Sequence, residues 1–462
     1  MFICSLICYK ITPEITKRHL KTRTVEKGWK TTVEQAEKHS AILTDLPRPR
    51  IIPRSEHIVS RKNIDPDALK VLYRLHNHGF TAYLVGGSVR DLLLGRRPKD
   101  FDVSTDARPS QVRKLFRNSR IIGRRFRLVQ VFFRGRKVIE VSTFRRAPDP
   151  GDDEVLKANN TFGTPAEDAL RRDLTINALF YNIADYSLVD YVGGMADLQA
   201  GLIRGVGDVD LRFHRDPVRV LRAVRHAART GFALTPDTLE AVQKHRHELG
   251  LCPTSRIRDE LMRDLGGGAA AAWLELAHST GVLYSLLPTL EPWYGPGDSP
   301  LRRRAGELLA QVDRAFAAGK LPDDAVILNL FFWPVLEEMA REVEFAPGRA
   351  GRSQWALFLR ENLRQLAAPI AFAKRVLEQA CQIGAVMAFV RQDGRNQSLP
   401  KKVTEKGYFP LACTLAQMLG KDLKSLARPR PRGAPGKKRR RRRRRRRPSA
   451  KAAGRNQTAS PP

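Results

Sequence analysis

The sequence predicts an α+β architecture: a mixed sheet with helices in front, an all-helical neck and body behind, and a disordered basic tail. Three observations predict it. Between residue 61 and about 200, short β-branched and aromatic runs punctuated by glycine alternate with helical stretches. From about 205 to 390 the helical period takes over and strands disappear. Beyond about 395 the chain turns basic, and Arg439 through Arg447 run unbroken, too charged to bury a core.

Taken in order, residues 1–60 are mixed and polar and close on Pro47, Pro49 and Pro53, so they read as a mobile extension. The head, 61–200, opens with a helix over Asp65–His76, then a strand over Thr81–Val85 that stops at Gly86-Gly87. A short helix over Ser88–Leu94 ends at Gly95, and Phe101–Val103 reads as a strand. Arg127–Phe133 and Lys137–Thr143 form a hairpin across Arg134-Gly135-Arg136. The rest is assigned as a neck over 201–260, a body over 261–395 and the tail over 396–462.

The chain of 462 residues carries 82 Lys and Arg against 48 Asp and Glu, a net charge of +34. Half of that excess sits after residue 420, where 18 basic residues meet one acid, Asp422. The remaining body is still basic, which favours a polyanionic partner such as nucleic acid over an acidic small molecule. No run approaches the roughly 18 apolar residues of a membrane span, so no membrane association is expected. The five cysteines are scattered and odd in number, which points to a reducing, cytoplasmic setting. The apolar start, Met1 to Lys10, lacks a basic flank and a small-residue cleavage site, so a signal peptide is not expected.

The sharpest constellation is Tyr83 to Gly95 followed by Lys99 to Thr105. Pro98 blocks helix, and in an extended chain Asp100 and Asp102 share one face while Phe101 and Val103 share the other. Two carboxylates on one face repel unless a cation lies between them, and a divalent metal is the usual cation. Alone, such a pair is more often a solvated strand. Upstream, however, a strand stops at Gly86-Gly87 and a helix begins at Ser88, an arrangement suited to phosphate. Ser88 can add a hydroxyl, and Arg90 a fork of donors.

Further ordered motifs are Ile122 to Leu128, Ile139 to Arg145, Glu167 to Ala178, Asp190 to Asp197 and Asp216 to Arg225. Together with Gly86-Gly87-Ser88-Val89-Arg90-Asp91 and Asp100-Phe101-Asp102-Val103, they resemble the class II template-independent nucleotidyltransferases, the poly(A) polymerase and CCA-adding family. The resemblance covers about residues 60 to 300 and implies a nucleotidyltransferase-type head. The stretch after Ile122 and the basic tail resemble its bacterial poly(A) polymerase branch. It implies transfer of AMP from ATP to RNA 3′ ends using two magnesium ions, with manganese as an alternative. Asp100 and Asp102 would hold the metals, and Gly86, Gly87, Ser88 and Arg90 the triphosphate.

By the same resemblance Asp173 is a third active-site acid, with Arg172 and Asn177 beside it. Its ordinary role would be to cap a helix over Leu174–Tyr181. Glu140 alternates with Ile139 and Val141, so it either supports the metals or is a solvated strand residue. On the helix from Pro217 to Arg229, Arg219, Arg222, Arg225 and Arg229 fall within an arc of roughly 120° at about 100° per residue. Val220, Leu221, Ala223, Val224, Ala227 and Ala228 occupy the remaining arc and only Val218 breaks the pattern, so the arginines read as a basic stripe of the nucleotide site. The resemblance assigns base recognition to Asp216 and Arg219, with Arg215 standing where relatives commonly carry Glu and Gln130 where many carry His. Two alternatives stay open: a CCA-adding enzyme, which shares the head, and a non-catalytic RNA-binding protein on the same fold. No phosphohydrolase-type His-Asp pair is seen in the C-terminal half.

Overall fold

The two-residue alternation around Asp102 is realised in a mixed, eight-stranded sheet. The computed structural model describes residues 46–123, 127–146, 161–295, 297–391 and 399–423. Its strands are β1 (Arg50–Ile52), β2 (Ala82–Val85), β3 (Asp102–Thr105), β4 (Ser119–Ile122), β5 (Leu128–Phe132), β6 (Val138–Thr143), β7 (Leu179–Asn182) and β8 (Leu188–Asp190). They lie in the order β1-β8-β7-β2-β3-β6-β5-β4, with only β3 and β6 parallel. Helices α1 (Pro66–Asn77), α2 (Gly87–Leu93), α3 (Pro109–Leu115), α4 (Pro165–Arg171) and α5 (Gly194–Ala200) complete the head.

Register shows what each face does. Leu84, Val103, Val141 and Val129 oppose one another across β2, β3, β6 and β5, and all four are buried. Helix α1 packs against β2 and β3, burying Val71, Leu72 and Leu75, each worth roughly 1.5–3 kcal/mol. It starts where Asp65 accepts the backbone N–H of Asp67 at 2.8 Å, with Pro66 in the first turn. The opposite face carries the row Val85, Asp102, Glu140, Gln130, one residue out of step with the aliphatic row. Beside it an aromatic cluster of Phe144, Phe180 and Tyr83 closes over Val85 and Val189.

The stretch expected to form a neck carries α6 (Val209–Arg215), α7 (Val218–Thr230), α8 (Pro236–His245) and α9 (Thr254–Leu265). A two-stranded parallel ladder, Leu202–Ile203 with Ala233–Leu234, joins its start to the head. The described residues divide into two compact units, one reaching Gly319 and including Ala367–Ala371, the other formed by Lys320–Leu366 and residues from Phe372. In the second, Asp324–Met339 is apolar all round and buried from Ala325 to Leu336. Asn329 donates to the Ala380 carbonyl at 3.0 Å, tying it to the helix Lys374–Val386.

Four expectations change. Arg50–Ile52 is not mobile extension but the sheet's edge strand, paired with β8; at three residues between Pro49 and Pro53 it has no local signature. Leu174–Tyr181 is not a helix: Thr175–Asn177 makes one 3-10 turn and β7 follows, because pairing with β2 and β8 overrides helical spacing. Residues 399–423 of the expected tail are folded, with a helix at Phe409–Met418 burying Ala412, Leu415 and Ala416. The strand at Asp102 begins one residue late, leaving Asp100 and Phe101 outside it. The arginine run, residues 1–45 and residues 124–126 of the Ile122 motif lie outside the described residues.

Candidate active site

The carboxylate row sits where the sheet meets the glycine turn. Asp100 and Asp102 are exposed while Phe101 and Val103 between and beyond them are buried. Register sets Asp102 directly opposite Glu140, and Gln130 donates to Glu140 Oε1 at 3.0 Å. Asp102 opens to solvent but is walled by protein, and its carboxyl is pushed up to about 6. Loss of surrounding water is the largest cause, then Glu140; Arg172 opposes the shift, and Asp100 adds to it. Among the described residues, these carboxylates are not drawn into a trio with all ligand atoms within 4.8 Å, so they form an open row. An oxygen-only row short of positive charge suits a hard divalent cation.

Above this row Gly86 takes φ 73 and ψ −145, a region open essentially to glycine. A Cβ there would lie 3.6 Å from Arg172 Nη1 and 3.8 Å from Asp102 Oδ2, so the turn brings bare backbone against both charges. Helix α2 starts at Gly87 and leaves first-turn N–H groups without intrahelical partners. Arg172 lies over the Phe180 ring at 5.0 Å and donates to Asp168 at 2.9 Å and to Ser104 at 3.4 Å. Arg212 holds this segment from behind by donating to the carbonyls of Leu170, Val206, Arg171 and Arg172 at 2.6–2.8 Å. Sequence inspection missed Arg212, whose partners are all backbone atoms.

Several expected ligand-binding side chains are engaged by partners inside the protein. Ser88 is buried and donates to the Val85 carbonyl at 2.9 Å. Arg90 is 3% exposed; it donates to Asp91, to Asn177 Oδ1 at 2.8 Å and to His226 Nδ1 at 3.0 Å, which corrects its reading as an open phosphate fork. Asp173 accepts from Arg222 Nε at 2.6 Å and from the Leu174 N–H at 2.9 Å. Burial is the largest influence and opposes its ionisation, yet Arg222, His226 and the Leu174 N–H together hold the carboxyl well below the usual range. His226 is pushed well below its ordinary range by burial and then by Arg90, so it accepts as a neutral ring.

The basic stripe is therefore mostly an internal network. Arg225 is buried, ion-paired with Asp264 and Glu260, and donates to the Glu260 carbonyl at 2.9 Å. The acids that answer the stripe come from α9 and from residue 173, which no helical wheel of α7 includes. At the front of α7 the expected base-reading pair does meet, with Arg219 Nε 3.6 Å from Asp216 Oδ2. Arg256 of α9, not anticipated, joins Asp216 at 2.9 Å. The motif from Asp190 is structural: its carboxylate accepts the N–H groups of Val192, Gly194 and Met195, while Asp197 accepts from Thr175.

Comparison with known proteins bears on this arrangement. Residues 82–204 match the model described as "Poly A polymerase head domain", and 231–294 match "Probable RNA and SrmB- binding site of polymerase A". Poly(A) polymerase I of Salmonella typhi is 41% identical over 354 residues, covering 74% of this chain and 76% of the relative. The chain belongs to the poly(A) polymerase family. Poly(A) polymerase I of Haemophilus influenzae is 36% identical over 334 residues, covering 69% and 74%. A CCA-adding enzyme of Bacillus pumilus is 39% identical, but over 48% of this chain and 55% of its own. Among solved structures, the Bacillus stearothermophilus CCA-adding enzyme in complex with CTP aligns at a TM-score of 0.51 and 26% identity, covering 77% and 83%. Among the described residues, no helix is long and apolar enough to cross a membrane.

Proposed function

We propose that this chain is a template-independent polynucleotide adenylyltransferase that extends RNA 3′ ends with AMP from ATP in the cytoplasm. The observation that carries the reading is the carboxylate row beneath the Gly86 turn, with Asp102 held near 6 and Glu140 opposite it. Asp100 and Asp102 would hold divalent ions, with Glu140 flanking; oxygen ligands favour magnesium, and manganese would substitute. Two such ions, when bound, acidify the RNA 3′-hydroxyl and neutralise the departing pyrophosphate.

The chain's own residues supply position and charge. Gly86 and Gly87 let the triphosphate approach the backbone, and Arg172 adds positive charge beside Asp102. The 3′-oxygen then attacks the α-phosphorus of ATP as the bond to the β-phosphate oxygen breaks. Asp216 and Arg219 offer an acceptor and donors to the base edge, so no template strand is required. Asp173, Asn177, Arg90 and Arg222 act behind the site by fixing the turn at Thr175–Asn177. RNA is held by the basic neck and body through phosphate contacts, which gives salt-sensitive affinity without sequence reading.

The test offers a generic RNA and a tRNA lacking its terminal CCA, with each labelled nucleoside triphosphate and magnesium. Long adenylate tails on the generic RNA are expected. Addition of two C and one A to the tRNA alone would replace this reading with CCA addition, and no incorporation would leave an RNA-binding role.

A further inference from the structure

Outside the catalytic row, the neck gathers a second cluster of ligand-type side chains. His214 lies in the last turn of α6, His245 is the last residue of α8, and Glu248 follows in the 3-10 turn Arg246–Leu251. One ligand atom from each lies within 4.8 Å of the others. His214 Nδ1 is 3.1 and 3.2 Å from the two Glu248 oxygens, and His245 Nδ1 is 3.0 Å from Oε1. On its far side, His245 Nε2 meets Asp210 Oδ1 at 2.8 Å, and Lys244 braces Asp210 at 2.8 and 2.9 Å.

Both ring nitrogens of His245 face carboxylate oxygens, in a side chain only 4% exposed. A second Nδ1 converges on the same Glu248. A cation among the two Nδ1 atoms and Glu248 would take a lone pair from each, with the Nε2–H of His245 turned to Asp210. A carboxylate on the far nitrogen is the usual second partner of a metal-bound histidine. Tetrahedral zinc would set ligand atoms roughly 3.3 Å apart, close to the N···O separations present. Two imidazoles with one carboxylate suit zinc and disfavour magnesium.

We propose that His214, His245 and Glu248 form a transition-metal site of the zinc class, with Asp210 orienting His245. His214 is largely exposed, so a fourth position is open to water. The ion clamps α6 to α8 two residues ahead of Asp216, and its role is to brace the neck rather than to react.

The test titrates Co2+ into the full-length protein in excess Mg2+, which occupies the oxygen-only row, and follows the intense visible absorption of four-coordinate cobalt. Zn2+ should displace the signal and raise the melting temperature. His214→Ala, at an exposed position, and Glu248→Gln should abolish both effects. Asp210→Asn should weaken binding about 10–100-fold, as loss of an outer partner does. No visible band in the wild type, or an unchanged band in His214→Ala, would overturn the site. Equal affinity in Asp210→Asn would overturn the orienting role.

Discussion

The carboxylate row of the sheet and the arginine face of α7 carry opposite charges and have opposite fates. Asp100 and Asp102 stand open beside a half-buried Glu140, and Asp102 is raised to about 6, first by loss of surrounding water and then by Glu140. Arg222 and Arg225 are answered in full, by Asp173 and by Glu260 with Asp264. The difference separates charge kept for a ligand from charge spent on holding parts together. Unmatched charge costs stability and needs an incoming partner; matched charge fixes a geometry.

Breaking each side should have a distinct signature. The largest effect is expected from Asp100→Ala, which should bring AMP incorporation to background while RNA affinity measured by filter binding is unchanged. Arg225→Ala strands two buried carboxylates and should cost about 3–5 kcal/mol in denaturant unfolding, with KM for ATP of the folded fraction unchanged. A raised KM at unchanged stability would return Arg225 to the nucleotide site. Gly86→Ala should cost of order 1–3 kcal/mol through backbone strain alone, since the added Cβ meets only ordinary contacts. Arg219→Ala should barely move the melting temperature but reduce preference for ATP over CTP roughly tenfold, the scale of one charge-assisted hydrogen bond.

What could be read from the sequence followed the range of the interaction. The Asp100–Val103 alternation is a property of adjacent residues, so it showed the acidic face directly. The stop of β2 at Gly86-Gly87 was equally local. Arg90 and His226 are 136 positions apart, and Arg222 is 49 from Asp173, so their pairing has no local pattern. A helical wheel sees only its own helix, which made α7 look like an unanswered basic stripe. Glu140 was undecided for the same reason, because only the parallel pairing of β3 with β6 sets it opposite Asp102. Arg50–Ile52 and Phe409–Met418 were missed because their order comes from partners elsewhere in the fold.

The most direct test of the central claim is thermal unfolding of wild type and Asp102→Asn across pH, with and without magnesium. Asp102 is raised above its ordinary 3.8, so its contribution is favourable at low pH and is lost as pH rises through about 6. Metal-free wild type should therefore fall below Asp102→Asn in melting temperature above that pH. Magnesium should restore the wild type and leave the variant nearly unmoved. Curves that run parallel at every pH, or equal magnesium stabilisation of both proteins, would contradict a row of carboxylates held open for divalent ions.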